Sequence, residues 1–200
     1  MKLRRALSVS AATAALLPVT MAAAPASQAA PAEALPTCYD IDTAYGQYHN
    51  NTFVGRVFGI PKSVTLSTQW TTYTATLTNA SAKELKSFEL KAKLGSYVYN
   101  EGERDLGPYG DLQYWDTAQR AWKTLRQADG GARGTVPAPK TLKPRESVHV
   151  QLRFRVGENL PMDQAYDALT GLTGTFVDHY RDTDCTASGD ASGSFSPRKG

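Results

Sequence analysis

Val148, Val150, Leu152, Phe154 and Val156 alternate without a break with His149, Gln151, Arg153 and Arg155. A repeat of two is the repeat of an extended strand, and a strand with one apolar side must bury that side against another layer. The same pattern recurs twice. Tyr73, Ala75 and Leu77 alternate with Thr72, Thr74, Thr76 and Thr78, and Phe88, Leu90, Ala92 and Leu94 alternate with Glu89, Lys91 and Lys93. Weaker alternation predicts strands at 54–58, 63–66, 112–115, 121–125, 167–169 and 175–179. Many short strands divided by turn signals predict an all-β fold, a single antiparallel β-sandwich. Residues 95–110, rich in Gly and Tyr, are expected as a long loop.

The segment 112–128 supports two readings. Trp115, Ala118, Trp122 and Leu125 also fall on one helical face. Asp116 with Gln119 would make a capping box and Gly130 a helix stop. Spacing alone leaves helix and hairpin open.

The first residues read as an export signal. Lys2, Arg4 and Arg5 precede an Ala-rich apolar stretch, and Ser27-Gln28-Ala29 follows with small residues where a signal peptidase cuts. Cleavage is expected after Ala29; the Arg pair leaves the general and twin-arginine routes both open. The signal takes three of the 22 basic side chains with it, leaving 19 against 19 acidic ones. A chain without net charge has no long-range field to gather nucleic acid or anionic lipid, so nucleic-acid binding is not expected, and with the signal cleaved no stable membrane insertion is expected either. Leu35-Pro36-Thr37-Cys38 has Thr where a lipidation box has Gly or Ala, and 196–200 carries no apolar tail. The expectation is a secreted protein, free or associated with the cell wall.

Cys38 and Cys185, the only cysteines, meet an oxidising environment after export and are expected to form one disulfide. Closing so long a loop stabilises a fold by about 4–5 kcal/mol in the chain-entropy account. The expected organisation is a signal at 1–29, a linker at 30–37, the sandwich at 38–186, and a Ser/Gly-rich tail or weak last strand at 187–200.

Trp70, Thr74, Leu77-Thr78-Asn79-Ala80-Ser81 and Leu85, then Leu112-Gln113-Tyr114-Trp115-Asp116 and Trp122, then Leu142-Lys143-Pro144, Ser147-Val148 and Leu152-Arg153-Phe154-Arg155-Val156 form a recurring series of strand and turn motifs. Over roughly residues 50–185 this series resembles a family of actinobacterial secreted or sortase-anchored surface proteins. The resemblance implies an Ig-like sandwich and favours a hairpin over 112–125, whose turn often carries Gly in the family and has Arg120 here. It implies a surface-associated or released module and no known reaction.

Familiar catalytic machinery is not visible. The chain has no Gly-x-Ser-x-Gly elbow, no His-Glu-x-x-His and no phosphate-binding loop. His49, His149 and His179 lie far apart. Asp178, Asp182, Asp184 and Asp190 surround Cys185 without the spacing of an EF-hand, which leaves calcium an open question there. No enzyme activity, cofactor or metal ligand set is expected. The sequons at Asn50 and Asn79 are read as turn chemistry.

The richer signal is aromatic. Tyr97, Tyr99, Tyr109, Tyr114, Trp115 and Trp122 crowd one region. Aromatic rings with a polar edge suit sugar rings or partner pockets, and they suit a core equally well. The expected binding residues are Tyr97, Tyr99, Tyr109 and Trp115. The functional expectation is a non-catalytic extracellular interaction or surface module for an unknown protein or a cell-surface glycan. A carbohydrate-binding module is the alternative, with a protease inhibitor or an enzyme behind it.

Overall fold

In a computed structural model, which describes residues 34–41, 52–86, 88–98 and 102–200, the alternating stretches pair into two packed sheets. The strands among these residues are β1 (Phe53–Phe58), β2 (Ser63–Thr65), β3 (Thr71–Asn79), β4 (Leu85–Lys86), β5 (Glu89–Ser96), β6 (Gly110–Asp116), β7 (Ala121–Leu125), β8 (Arg133–Val136), β9 (Thr141–Leu142), β10 (Ser147–Val156), β11 (Ala168–Tyr180) and β12 (Thr183–Arg198). The first sheet has the order β1-β3-β10-β6-β7 and the second β2-β12-β11-β5-β8, with β4 and β9 paired beside them. Neighbours are antiparallel except β2 with β12. The expected signal and the first half of the linker, residues 30–33, lie outside the described residues. Among the described residues no helix is long and apolar enough to cross a membrane.

The core is the meeting of the inward sides. Phe154 of β10 packs edge-on to Tyr73 of β3 at 5.9 Å and against Phe195 of β12 at 4.8 Å. The phenol of Tyr73 crosses between the sheets to the hydroxyl of Thr170 on β11, 2.7 Å away. Burial pushes this phenol well above its ordinary pKa, with the Thr170 bond pulling the other way. Asn79 is fully buried: its amide donates to the carbonyls of Lys83 and Leu142, and its oxygen accepts from Ser81. That sequon is therefore a structural turn; the one at Asn50 lies outside the described residues.

The 112–125 segment is a hairpin, with Leu112 opposite Leu125 and Trp115 opposite Trp122. Asp116 accepts the amides of Ala118 and Gln119, so the expected helix cap serves a turn instead. Arg120, in the turn, takes the left-handed backbone with φ 50°.

One expectation changes. Residues 168–169 and 175–179 belong to one strand, β11, which runs through Gly171 and Gly174. Alternation fails there because space does: a Cβ on Gly174 would lie 3.0 Å from the Phe53 ring. Of the two readings of 187–200, tail and last strand, the structure has the strand: it runs as far as Arg198 and begins at Thr183. Its inward side carries Ala187, Gly189, Ala191 and Gly193 before reaching Phe195. Small residues are required because β1 crosses close above: a Cβ on Gly55 would fall 1.9 Å from the carbonyl oxygen of Asp190. The composition of a loose tail is here the composition of a tight crossing.

Cys38 opens a single-turn helix, Cys38–Ile41, and is joined by a disulfide to Cys185 near the start of β12. Thr37 bridges to Thr186 beside it. β11 and β12 are joined by a two-residue turn at Arg181 and Asp182, both at positive φ, the primed geometry that matches strand twist.

Candidate functional site

The polar sides of β3, β10, β6 and β7 form the outer face of the first sheet. Register sets the rows: Arg153 stands between Thr72 and Gln113, Arg155 beside Asp111, and Trp115 opposite Trp122. All three tryptophans lie on this side, half-buried, and none is in the core. Trp70, just before β3, completes the set.

These side chains stack into a ladder. The guanidinium of Arg153 lies 4.4 Å from the centre of the Trp70 ring and 4.3 Å from that of Trp122. Arg155 lies 4.7 Å from Trp70, and Trp115 meets Trp122 edge-on at 5.4 Å. A planar, weakly hydrated cation is the group that can lie against two indoles at once. Arg153 Nε donates to Gln113 Oε1 at 2.8 Å, and Gln113 Nε2 donates to Thr124 Oγ1 at 3.0 Å. These bonds hold the ladder in one rotameric state. Phe58 and Val54, exposed on β1, extend the same face outward.

At its foot the ladder runs into a charged cleft. Asp111 Oδ2 accepts from Arg155 Nε at 2.8 Å and Oδ1 from Arg126 Nη2 at 2.6 Å. Arg126 also donates to the carbonyls of Gly110 and Gly130. Partial burial raises the Asp111 pKa, but the bonds and charges of Arg155 and Arg126 outweigh it and hold the carboxyl below the usual carboxylate range. The cleft has a volume of about 480 Å³ and is lined by Ser67, Thr68, Tyr109, Glu158 and Asn159 besides these three.

The structure divides the expected binding residues. Trp115 is on this face and Tyr109 lines the cleft, half-buried. Tyr97, 51% exposed, lies on the other side of the molecule, beside Lys93, Gly171 and Ser192 on the outer face of the second sheet. Tyr99 lies outside the described residues. Tyr114 points inward opposite Leu152 and packs on the core. Crowding in sequence is thus not crowding in space. Trp70, Arg153, Arg155, Asp111 and Arg126 were missed as site residues. Arg153 and Arg155 on the polar side of the strongest strand were the available signal, but their partners are fixed by register, which the sequence does not print.

The other candidates stay apart. His149 bonds Thr76 on the first sheet, whereas His179 bonds Asp184 on the β11–β12 hairpin; His49 lies outside the described residues. Asp178 pairs with Cys185 and Asp184 with His179, so these two carboxylates leave opposite sides of the hairpin. Among the described residues no three His, Cys, Asp or Glu side chains gather at metal-binding distance.

The architecture is that of an all-β sandwich carrying an aromatic and guanidinium face. No family model matches the chain, and no curated protein matches it. Solved structures do. AvmM, which catalyses macrocyclization in alchivemycin A biosynthesis, is 15% identical over 76% of this chain and 91% of its own, with a TM-score of 0.49. The reeler domain of human F-spondin is 16% identical over 74% of this chain and 89% of its own, at 0.38. BcpA, the major pilin subunit of Bacillus cereus, is 13% identical over 73% of this chain and 40% of its own, at 0.37. At these values the likenesses carry no argument about function.

Proposed function

We propose that this chain is an exported, non-catalytic interaction module that meets its partner on the cell surface through the outer face of the first sheet. One observation carries the reading: Trp70, Trp115 and Trp122 all stand on that outer face, where folding alone has no need of them. Rigid aromatic and guanidinium groups gathered on one surface are the usual anchors of recognition. The non-catalytic part rests on Asp111. Both oxygens of this carboxylate in the cleft are held by guanidiniums, so it neither offers nor takes a proton near neutral pH.

The test uses the two expected residues that the fold placed on opposite faces. Purified protein, Trp115→Ala and Tyr97→Ala are incubated with whole cell walls, with and without prior protease treatment. Saturable retention that Trp115→Ala loses and Tyr97→Ala keeps is the expected result. Loss with Tyr97→Ala alone would transfer the site to the second sheet and end this reading. Protease-sensitive retention marks a protein partner, and protease-resistant retention a glycan. The glycan has its own support, the hydroxyl, amide and carboxylate side chains of Ser67, Thr68, Asn159 and Glu158 beside the Tyr109 ring in the cleft.

A further inference from the structure

The cleft at the foot of the ladder holds hydrogen-bond donors that find no acceptor among the described residues. A guanidinium offers five N–H groups in a fixed fork. Arg155 gives Nε to Asp111 and, at 3.4 Å, Nη1 to the carbonyl of Thr68, and its Nη2 donates to no acceptor among the described residues. Arg126 uses Nη1 and Nη2 and leaves Nε. A free guanidinium edge in a concave site is a receptor for a planar oxyanion.

Charge and lining narrow the ligand. The two arginines are already balanced by Asp111 and by Glu158 at the rim. A monoanion therefore meets little resistance, whereas a phosphate dianion adds a second charge against two fixed carboxylates. Apart from Pro108 and the ring of Tyr109, the walls are polar side chains and glycine. An acidic peptide would draw its further affinity from apolar sockets beside its carboxylate, which these walls do not supply. A sugar ring needs an aromatic plane and groups that exchange hydrogen bonds with hydroxyls, which Tyr109, Asn159, Ser67 and Glu158 supply. A volume of about 480 Å³ is in the range of small-ligand sites.

We infer that this cleft binds the carboxylate of a uronic-acid residue within an extended glycan, with Arg155 as its anchor. The inference deepens the proposed binding role and rests on the first sheet's outer face being the binding face. It adds the ligand class and the anchoring group.

The experiment titrates the full-length protein with tetragalacturonate, with the neutral galactose tetramer, with inorganic phosphate and with a tetraglutamate peptide, read by calorimetry and tryptophan fluorescence. Tetragalacturonate is expected to bind saturably and more weakly as salt rises, with the neutral tetramer roughly tenfold weaker or worse. Arg155→Lys keeps the charge but loses the fork, and is expected to weaken tetragalacturonate roughly tenfold. Glu158→Gln, at an exposed rim position, is expected to tighten it a few-fold by removing a like charge. Because these substitutions act in opposite directions, a general loss of folding cannot imitate the pair. Equal binding of tetraglutamate or phosphate overturns the sugar assignment. No tetragalacturonate binding, or binding indifferent to both substitutions, overturns the site. If cell-wall retention still depends on Trp115 while tetragalacturonate fails to bind, the cleft inference falls and the binding face stands. If tetragalacturonate binds and retention ignores Trp115, the face reading falls and the cleft stands.

Discussion

The two outer faces of the sandwich are built on the same framework and dressed in opposite ways. The first sheet shows solvent three tryptophans interleaved with arginines, bordered by Phe58 at 62% exposure. The second shows Thr173, Thr175, Ser188, Ser192 and Ser194, with Lys91 and Lys93 beside them; its few large apolar groups are scattered, Tyr97 and Leu169 at one end and Val177 far along β11. The inward sides of both are ordinary core, so packing does not demand the difference. Small residues on β12 follow from the close crossing of β1, which Gly55 permits. Large planar groups on β6, β7 and β10 answer no such constraint. They satisfy one another by stacking, which fixes their geometry before any partner arrives and reduces the ordering entropy that binding would otherwise cost.

The largest effects should come from what both faces share. Replacing Cys38 and Cys185 together by Ser is expected to cost about 4–5 kcal/mol, seen as a lower denaturant midpoint with tryptophan contacts intact in the surviving folded fraction. Gly55→Ala drives a Cβ into the Asp190 carbonyl and is expected to cost about 3 kcal/mol, detected as early melting and loss of amide protection in β1 and β12. Should that protein melt normally, the crossing that explains the small residues of β12 is not as tight as described. Next comes a matched pair across the two faces. Arg153→Ala breaks two stacking contacts and is expected to cost about 1–2 kcal/mol and to change the near-ultraviolet tryptophan signal. Lys93→Ala, on the plainer face, is expected to stay within about 0.5 kcal/mol with that signal unchanged. Equal effects would erase the contrast between the faces.

How much of this was legible in sequence depended on whether the information was local. The alternation in β3, β5 and β10 is carried by neighbouring residues, and those strands stand where it placed them. Residues 187–200 stayed open between a tail and a weak last strand because the inward residues of β12 are Ala and Gly; their size answers β1, more than a hundred residues away, and no local pattern reports that. The hairpin at Trp115 and Trp122 competed with a helix because both patterns fit the same spacing. The pairing of Tyr114 with Leu152 on the neighbouring strand, a non-local fact, is what a helix would have forfeited. The site failed for the same reason. Tyr97 and Trp115 are near in sequence yet occupy opposite faces, while Trp70 and Arg153 are far apart and stacked.

The smallest expected effect tests whether the foot of the ladder is held by charge. Asp111 is kept ionised by Arg155 and Arg126, so its folded pKa lies below its unfolded value of about 3.9. A group depressed on folding contributes stability above its unfolded pKa and loses it as pH falls through the folded one. The difference in unfolding free energy between the protein and Asp111→Asn should therefore be level from neutral pH down to about pH 5 and shrink below about pH 4. Partial exposure and screening keep its size under about 1 kcal/mol. Raising salt should reduce it further, because the pairs are not sealed from solvent. On the opposite face, Glu89 pairs with Lys91 at 3.0 Å with both side chains more than half exposed. There, Glu89→Gln at neutral pH should change stability by less than about 0.5 kcal/mol. A level difference for Asp111→Asn down to pH 2 would mean that the carboxylate is held by shape and not by the two guanidiniums. The arginines would then have to be described as independent of it, and the free edge of Arg155 as an accident of packing.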